Sequence, residues 1–135
     1  MPAFLFKTEP SDYGWANLVR DKGVVWEGVS NALALIHLRT AKKGDTVVIY
    51  HTGAEKRAVG FATVTKAAYA DPALGDARRV VVDLKPAREF PEPVALTTFK
   101  TDTVLRSCEL VRNSRLSVMP LSDAHVARLR ELAGF

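Results

Sequence analysis

The residues able to hold a ligand fall in four short patches along the 135-residue chain. They are Lys7, Thr8, Glu9 and Pro10; Trp26, Glu27, Gly28 and Val29 running into Ser30 and Asn31; Gly44 and Asp45 leading to Tyr50, His51 and Thr52; and Arg115, Leu116, Ser117 and Val118. Each patch sets an aromatic or aliphatic wall beside a polar group that a core accepts only when something satisfies it. That is the composition of a small ligand pocket. The chemistry these residues suggest is binding. The chain has no nucleophile elbow, no Gly-rich phosphate loop and no paired-histidine metal motif, and Cys108 adjoins Glu109 with no activating partner in view. It is therefore expected not to be an enzyme, and to need neither a metal nor a cofactor.

The elements that must position these patches belong to one domain, spanning residues 1–135. Apolar residues make up 47% of the chain, enough for an ordinary core without disulfides. Phe4 to Lys7 reads as a first strand, after which Pro10 and Ser11 start a helix near Asp12 to Val19, with Gly23 beyond its end. Helical spacing resumes between Ser30 and Ala41, and Gly44-Asp45 turns the chain into a strand over Thr46 to His51. Ala58 to Thr65 and Arg79 to Leu84 read as adjacent strands, joined by a turn-rich excursion from Ala70 to Asp76. Pro86 to Pro93 reads as a loop, and Leu116 with Val118 as a last short strand. Ser122 caps a closing helix carrying Val126, Leu129 and Leu132. This α+β pattern lacks regular β-α-β alternation, so it predicts a small mixed, mostly antiparallel β-barrel with helices packed over its openings.

The net charge of +4 and pI of about 9.4 favour an anionic partner. The cations come as scattered pairs, such as Lys42-Lys43 and Arg78-Arg79, and not as a continuous arm. The single cysteine cannot pair within the chain, which fits a reducing compartment. No apolar run approaches the roughly 20 residues of a membrane span, and no leader pattern is present. A soluble, cytoplasmic protein with no membrane partner is expected.

In their order the patches resemble the EVE domain, a branch of the PUA-like barrels related to YTH and ASCH domains. The likeness rests on Phe4 to Pro10, Trp26 to Asn31, Lys43-Gly44-Asp45, Tyr50-His51-Thr52, Val59-Gly60-Phe61-Ala62, Ala68 to Pro72, and Leu110-Val111-Arg112 followed by Arg115 to Val118. The resemblance implies a PUA-like fold with a nucleobase pocket, and a non-catalytic reader of modified bases, foremost modified cytosines such as 5-methylcytosine in DNA. The partner implied is nucleic acid, modified DNA or RNA, with room for a separate effector protein that carries any catalytic step. The chain departs from the family pattern at Phe4, where Trp is common, at Ser30, where Arg is common, and at Leu35-Ile36, where an Arg-Asn pair is common. Two arginines fewer on one helix remove phosphate or base-edge donors.

Each candidate has a ligand role and a structural alternative. Trp26 is the stacking platform or a core residue beside Val24 and Val25, and Gly28 lets a ligand approach the backbone. Tyr50 and His51 alternate to opposite faces of their strand, so only one can line the pocket directly. Glu9 could accept from an exocyclic amino group or cap the following helix, and Asn31 and Ser30 could pair a base edge or cap theirs. Arg115 and Ser117 share a face as donors, with Lys7 and Arg112 of the same kind, and Tyr69 lies beside the turn-rich excursion. Two other classes remain open. An RNA-binding or RNA-cleaving PUA-like enzyme would assemble Glu9, Tyr50 and His51, and a small-molecule module would take a free nucleoside or metabolite.

Overall fold

The computed structural model describes residues 2–135. β1 (Ala3–Thr8) leads into two short helices, α1 (Pro10–Tyr13) and α2 (Trp15–Asp21), then β2 (Val24–Trp26) and α3 (Ala32–Arg39). β3 (Thr46–His51) is followed by the long pair β4 (Arg57–Ala70) and β5 (Val80–Ala95). After these come α4 (Leu96–Thr101), a 3-10 turn at Leu105–Ser107, α5 (Glu109–Arg112), β6 (Val118–Leu121) and α6 (Asp123–Ala133). Among the described residues no helix is long and apolar enough to cross a membrane.

The strands form one six-stranded sheet in the order β2-β5-β4-β3-β1-β6. β1 and β3 are parallel and the other pairs antiparallel. The α+β class and the mostly antiparallel sheet are as the sequence predicts, but no hydrogen-bonded pairing joins β2 to β6, so the sheet is not closed into a barrel. It is nevertheless strongly curled. β2 and β1 stand four steps apart in the order, which on a flat sheet would separate them by about 19 Å at the usual strand spacing. Yet the rings of Phe6 on β1 and Trp26 on β2 have centroids 5.8 Å apart.

Several expected boundaries move, each for a local reason. The single helix expected over Asp12 to Val19 is two helices, because Gly14 is extended between them (φ −109°, ψ −175°) and its N–H donates to Asn17 Oδ1 at 2.8 Å. Pro86 to Pro93 is strand and not loop. β5 pairs with β4 along most of its length and with β2 only at Val82 to Leu84; Pro86 lies beyond the β2 pairing, and Pro91 and Pro93 fall where the β4 register shifts between Glu89 and Val94, positions at which a strand tolerates proline. The last strand begins at Val118 and runs through Pro120, again as a sheet edge. β4 extends past Thr65 to Ala70, which puts Tyr69 in a strand.

The core is continuous across the sheet and its helices. β1 buries Ala3 to Phe6 and β3 buries Val47 to Tyr50. Gly60 on β4 makes room for α2: a Cβ there would meet the Trp15 ring at 2.6 Å. Gly60→Ala is expected to overpack this contact and destabilise the protein by about 1–3 kcal/mol, read as a lower urea midpoint with an unchanged slope.

At the other end α6 begins with a capping box. Ser122 Oγ accepts from His125 N–H at 3.1 Å, while His125 Nδ1 accepts from Ser122 N–H at 3.1 Å and its Nε2 meets Ser107 Oγ at 2.8 Å. Burial holds this imidazole below its ordinary pKa of 6.5. The unfolded chain therefore takes up the proton first, so the contribution to stability is complete above the unfolded value and is lost as pH falls through the folded one. The urea midpoint should drop as pH falls through and below the ordinary imidazole value of 6.5, and His125→Gln should flatten that part of the profile.

Candidate nucleic-acid interface

A cavity of about 410 Å³ opens where the curled sheet fails to close, within the usual size of small-molecule sites. β2 and the residues after it supply one wall, from Val24 and Val25 through Trp26 to Val29. Lys7 and Thr8 at the end of β1, Asp12 and Tyr13 of α1, and Ser117 just before β6 supply the other. Trp26 is 8% exposed, tilted at 41° against Phe6 and meeting Tyr13 edge-on at 6.4 Å and 85°. Gly28 has φ +83°, and a Cβ there would face open space, so its left-handed backbone is what shapes the rim.

The polar groups around this aromatic wall are partly committed. Thr8 Oγ1 donates to Tyr13 O at 2.6 Å, and the Tyr13 hydroxyl donates to Asp21 at 2.9 Å. Desolvation, helped by that carboxylate, pushes the Tyr13 phenol up to about 12, so it stays a neutral donor. Lys7 Nζ donates to Ser114 O at 2.8 Å, and burial lowers its pKa. The carboxylates of Asp12 and Glu27 stand on the same cavity. An aromatic face, an aliphatic edge, two carboxylate acceptors and an ammonium can hold a flat heterocycle and pair its edge.

Of the candidate residues read from the sequence, Lys7, Thr8, Trp26, Gly28 and Ser117 converge on this cavity. The others lie elsewhere. Glu9 is the N-cap of α1, its carboxylate accepting from Ser11 and from the Thr52 hydroxyl. Asn31 caps α3 by accepting from Ala34 N–H at 3.0 Å. Tyr50 is 3% exposed and packs edge-on against Phe99 at 6.4 Å, with burial pushing its phenol to about 12. Tyr69 donates to Asp83 on the β4–β5 pair and carries Lys66 Nζ over its ring at 4.2 Å. Arg115 is exposed in the turn before β6. Ser30, together with Leu35 and Ile36, lines a second cavity beside the first.

His51 is occupied on both nitrogens. Nε2 accepts from the N–H of Trp15, the first residue of α2, at 3.0 Å, and Nδ1 meets Glu55 Oε1 at 2.9 Å. The bonding assigns the neutral tautomer with its proton on Nδ1. Tyr13, Asp12 and the paired valines of β2 line the cavity without having stood out in the sequence. Tyr13 was legible only as an aromatic in a helix, and β2 is three residues long with its sequence signal merged into the Trp26 patch. His51→Ala would strand the buried Trp15 N–H and should cost about 1–3 kcal/mol in a denaturation titration.

The EVE domain family description matches residues 3–132. No curated protein sequence matches significantly. Among solved structures, a protein of Rhodopseudomonas palustris is 32% identical, with a TM-score of 0.94 over 99% of this chain and 94% of that one. Human THYN1, solved in complex with DNA containing 5-methylcytosine, is 21% identical, with a TM-score of 0.90 over 100% and 99%. The YTH domain of Zygosaccharomyces rouxii MRB1, solved with N6-methyladenosine RNA, is 14% identical, with a TM-score of 0.62 over 99% and 87%. With the family description spanning nearly its whole length, this chain belongs to the EVE domain family.

Proposed function

We propose that this protein reads a modified base in a polynucleotide, 5-methylcytosine in DNA before others, by seating it outside the stack in the cavity between β1 and β2. The observation that carries the reading is the convergence of Trp26 and Tyr13 with Lys7, Asp12, Glu27 and Ser117 on one opening of base-accommodating size. Unstacking a base costs a few kcal/mol, and stacking it on an aromatic returns about 1–3 kcal/mol, so edge pairing must supply the rest. Cytosine presents an amino donor, which a carboxylate of Asp12 or Glu27 accepts, and carbonyl and ring-nitrogen acceptors, which Lys7 or Ser117 can meet. A 5-methyl group needs an apolar neighbour, and Val24, Val25 and Val29 provide one. Support comes also from the shared fold of human THYN1 bound to 5-methylcytosine DNA and from the net charge of +4.

Binding proceeds without turnover in this reading. The residues from which an acid–base site would be assembled are already engaged, His51 by Trp15 and Glu55, and Glu9 by its helix. Any chemical step then falls to a separate effector, in a reducing cytoplasm that suits the buried free thiol of Cys108.

Fluorescence polarisation with short DNA and RNA oligomers carrying plain or 5-methylated cytosine or N6-methyladenine tests this. The expected result is tighter binding of 5-methylcytosine DNA, weakened at least about 5- to 150-fold by Trp26→Ala, which removes one stacking contact together with the packing on Phe6 that shapes the cavity. Val25→Thr, which keeps the β-branched shape at a position 43% exposed but puts a hydroxyl where a methyl stands, should weaken the methyl preference while leaving the fold intact. Equal binding of every oligomer, insensitive to both substitutions, would overturn the reading.

A further inference from the structure

A second cavity, of about 430 Å³, lies between α3 and the turn that joins β4 to β5. Arg39, Arg78 and Arg79 line it, with Asp76 as the only carboxylate among its lining residues. Asp76 is already paired with Arg78 at 3.3 Å, and Arg78 remains 85% exposed in its side chain. Arg39 donates to the Arg78 carbonyl at 2.6 Å, and among the described residues neither Arg39 nor Arg79 forms a direct ion pair with a carboxylate, although the charge of Arg79 reaches Asp76 and helps hold its carboxyl low. Leu35 and Ile36 form the apolar part of the lining, and Ile36 is 54% exposed, an isoleucine with nothing packed over it.

The two cavities share a wall. Gly28 and Val29 line the first and Ser30, the next residue, lines the second. Arg79 fastens that wall from the far side, donating from Nε to the Val29 carbonyl at 3.2 Å. This bond uses one of the five N–H donors of the guanidinium and leaves the others for a second acceptor. A cationic groove with an apolar flank, one residue away from a base-sized opening, has the chemistry of a nucleotide unit: an anion beside a weakly polar ring.

We infer that the second cavity holds the phosphodiester and the neighbouring nucleotide next to the base seated in the first, so that the recognition unit is a dinucleotide step. This rests on the base-reading function proposed above. The guanidiniums of Arg39, Arg78 and Arg79 take the phosphate, and the exposed Ile36 meets the adjoining sugar or base. The methylated nucleoside alone lacks the phosphate and fills only one of the two cavities. Affinity for the polymer then depends on salt through the arginines, while preference for the modified base depends on Trp26.

The test is a salt titration of oligomer binding with the full chain, run on wild type, Arg39→Gln/Arg78→Gln and Lys100→Gln/Arg106→Gln. The last pair removes the same charge from exposed positions on α4 and the 3-10 turn, neither of which lines either cavity. With methylated and plain duplex DNA, the arginine variant should lower the log–log salt slope by about 1–2 while the methylated-to-plain ratio stays within about twofold of wild type. 5-Methyl-2′-deoxycytidine and its 5′-monophosphate serve as competitors. The monophosphate should compete better than the nucleoside, and the arginine variant should erase the difference. A slope unchanged by the arginine variant, or reduced equally by the Lys100/Arg106 variant, would overturn the inference. Failure of the base reading looks different: the methylated-to-plain ratio would be one in wild type while the arginine dependence of the slope persisted.

Discussion

The contact between Phe6 and Trp26 is the constraint on which the rest of the arrangement depends. β2 has three residues and touches the sheet through β5 alone, so its backbone pairing is too short to fix where its far face points. The tilted ring pair supplies that direction, bringing β2 over the end of β1 at a centroid spacing of 5.8 Å, and Tyr13 adds an edge-on contact from α1. Aromatic pairs of this kind are worth about 0.5–1.5 kcal/mol beyond their buried area. The curl they hold leaves an opening between sheet edges instead of a closed wall. The cavity is the consequence of a sheet drawn nearly shut by side chains while its backbone ladder stays open.

A second constraint comes from the helices, most of which are short. α1 and α5 have four residues each and α4 has six, so nearly every peptide group in them is a terminal one without an intrahelical partner. The chain meets that demand with side chains. Glu9 serves α1, Asn31 serves α3, Ser122 and His125 serve α6, and Asp102 accepts from Val104 and Leu105 N–H. His51 does the same for α2 from a neighbouring strand. These are the residue types that also pair base edges. Residue type in the sequence therefore showed where polar groups needed satisfaction but not whether backbone or ligand would satisfy them, and for Glu9, Asn31 and His51 the backbone took the bond.

Legibility followed the strength of the local signal. β3 was readable to its limits because Val47, Val48 and Ile49 run unbroken between a Gly-Asp turn and the Thr52 break. α6 was equally clear from Ser122 and the spacing of its apolar residues. The segment from Leu96 to Arg112, by contrast, holds two short helices and a 3-10 turn that no periodicity marks, since four to six residues do not complete two turns. β5 was cut short in the sequence because its three prolines argue against a central strand. They are tolerated because Pro86 lies where β2 no longer pairs with β5, and Pro91 and Pro93 lie in the register shift between Glu89 and Val94. Lys7, Trp26, Gly28 and Ser117 were placed on the cavity by patch composition, but Tyr13 and Asp12 arrive there through the Gly14 break, whose geometry depends on Asn17 and on packing against Pro10.

The distribution of charge explains why a net charge of +4 produces no basic stripe. Acidic side chains sit at the cavity formed by β1 and β2, where Asp12 and Glu27 outnumber Lys7, whereas the adjoining groove collects three arginines against one aspartate. A uniformly basic surface would attract any polyanion, but its first cavity would repel an amino-bearing base edge and leave no carboxylate to pair with it. Separating the two signs across the thin wall of Gly28 to Ser30 lets one surface attract a phosphate and present acceptors to a base. In the proposed reading, field and specificity come from different residues, and the departures at Ser30, Leu35 and Ile36 leave the groove its cations, which project from Arg39 at the helix end and from the β4–β5 turn.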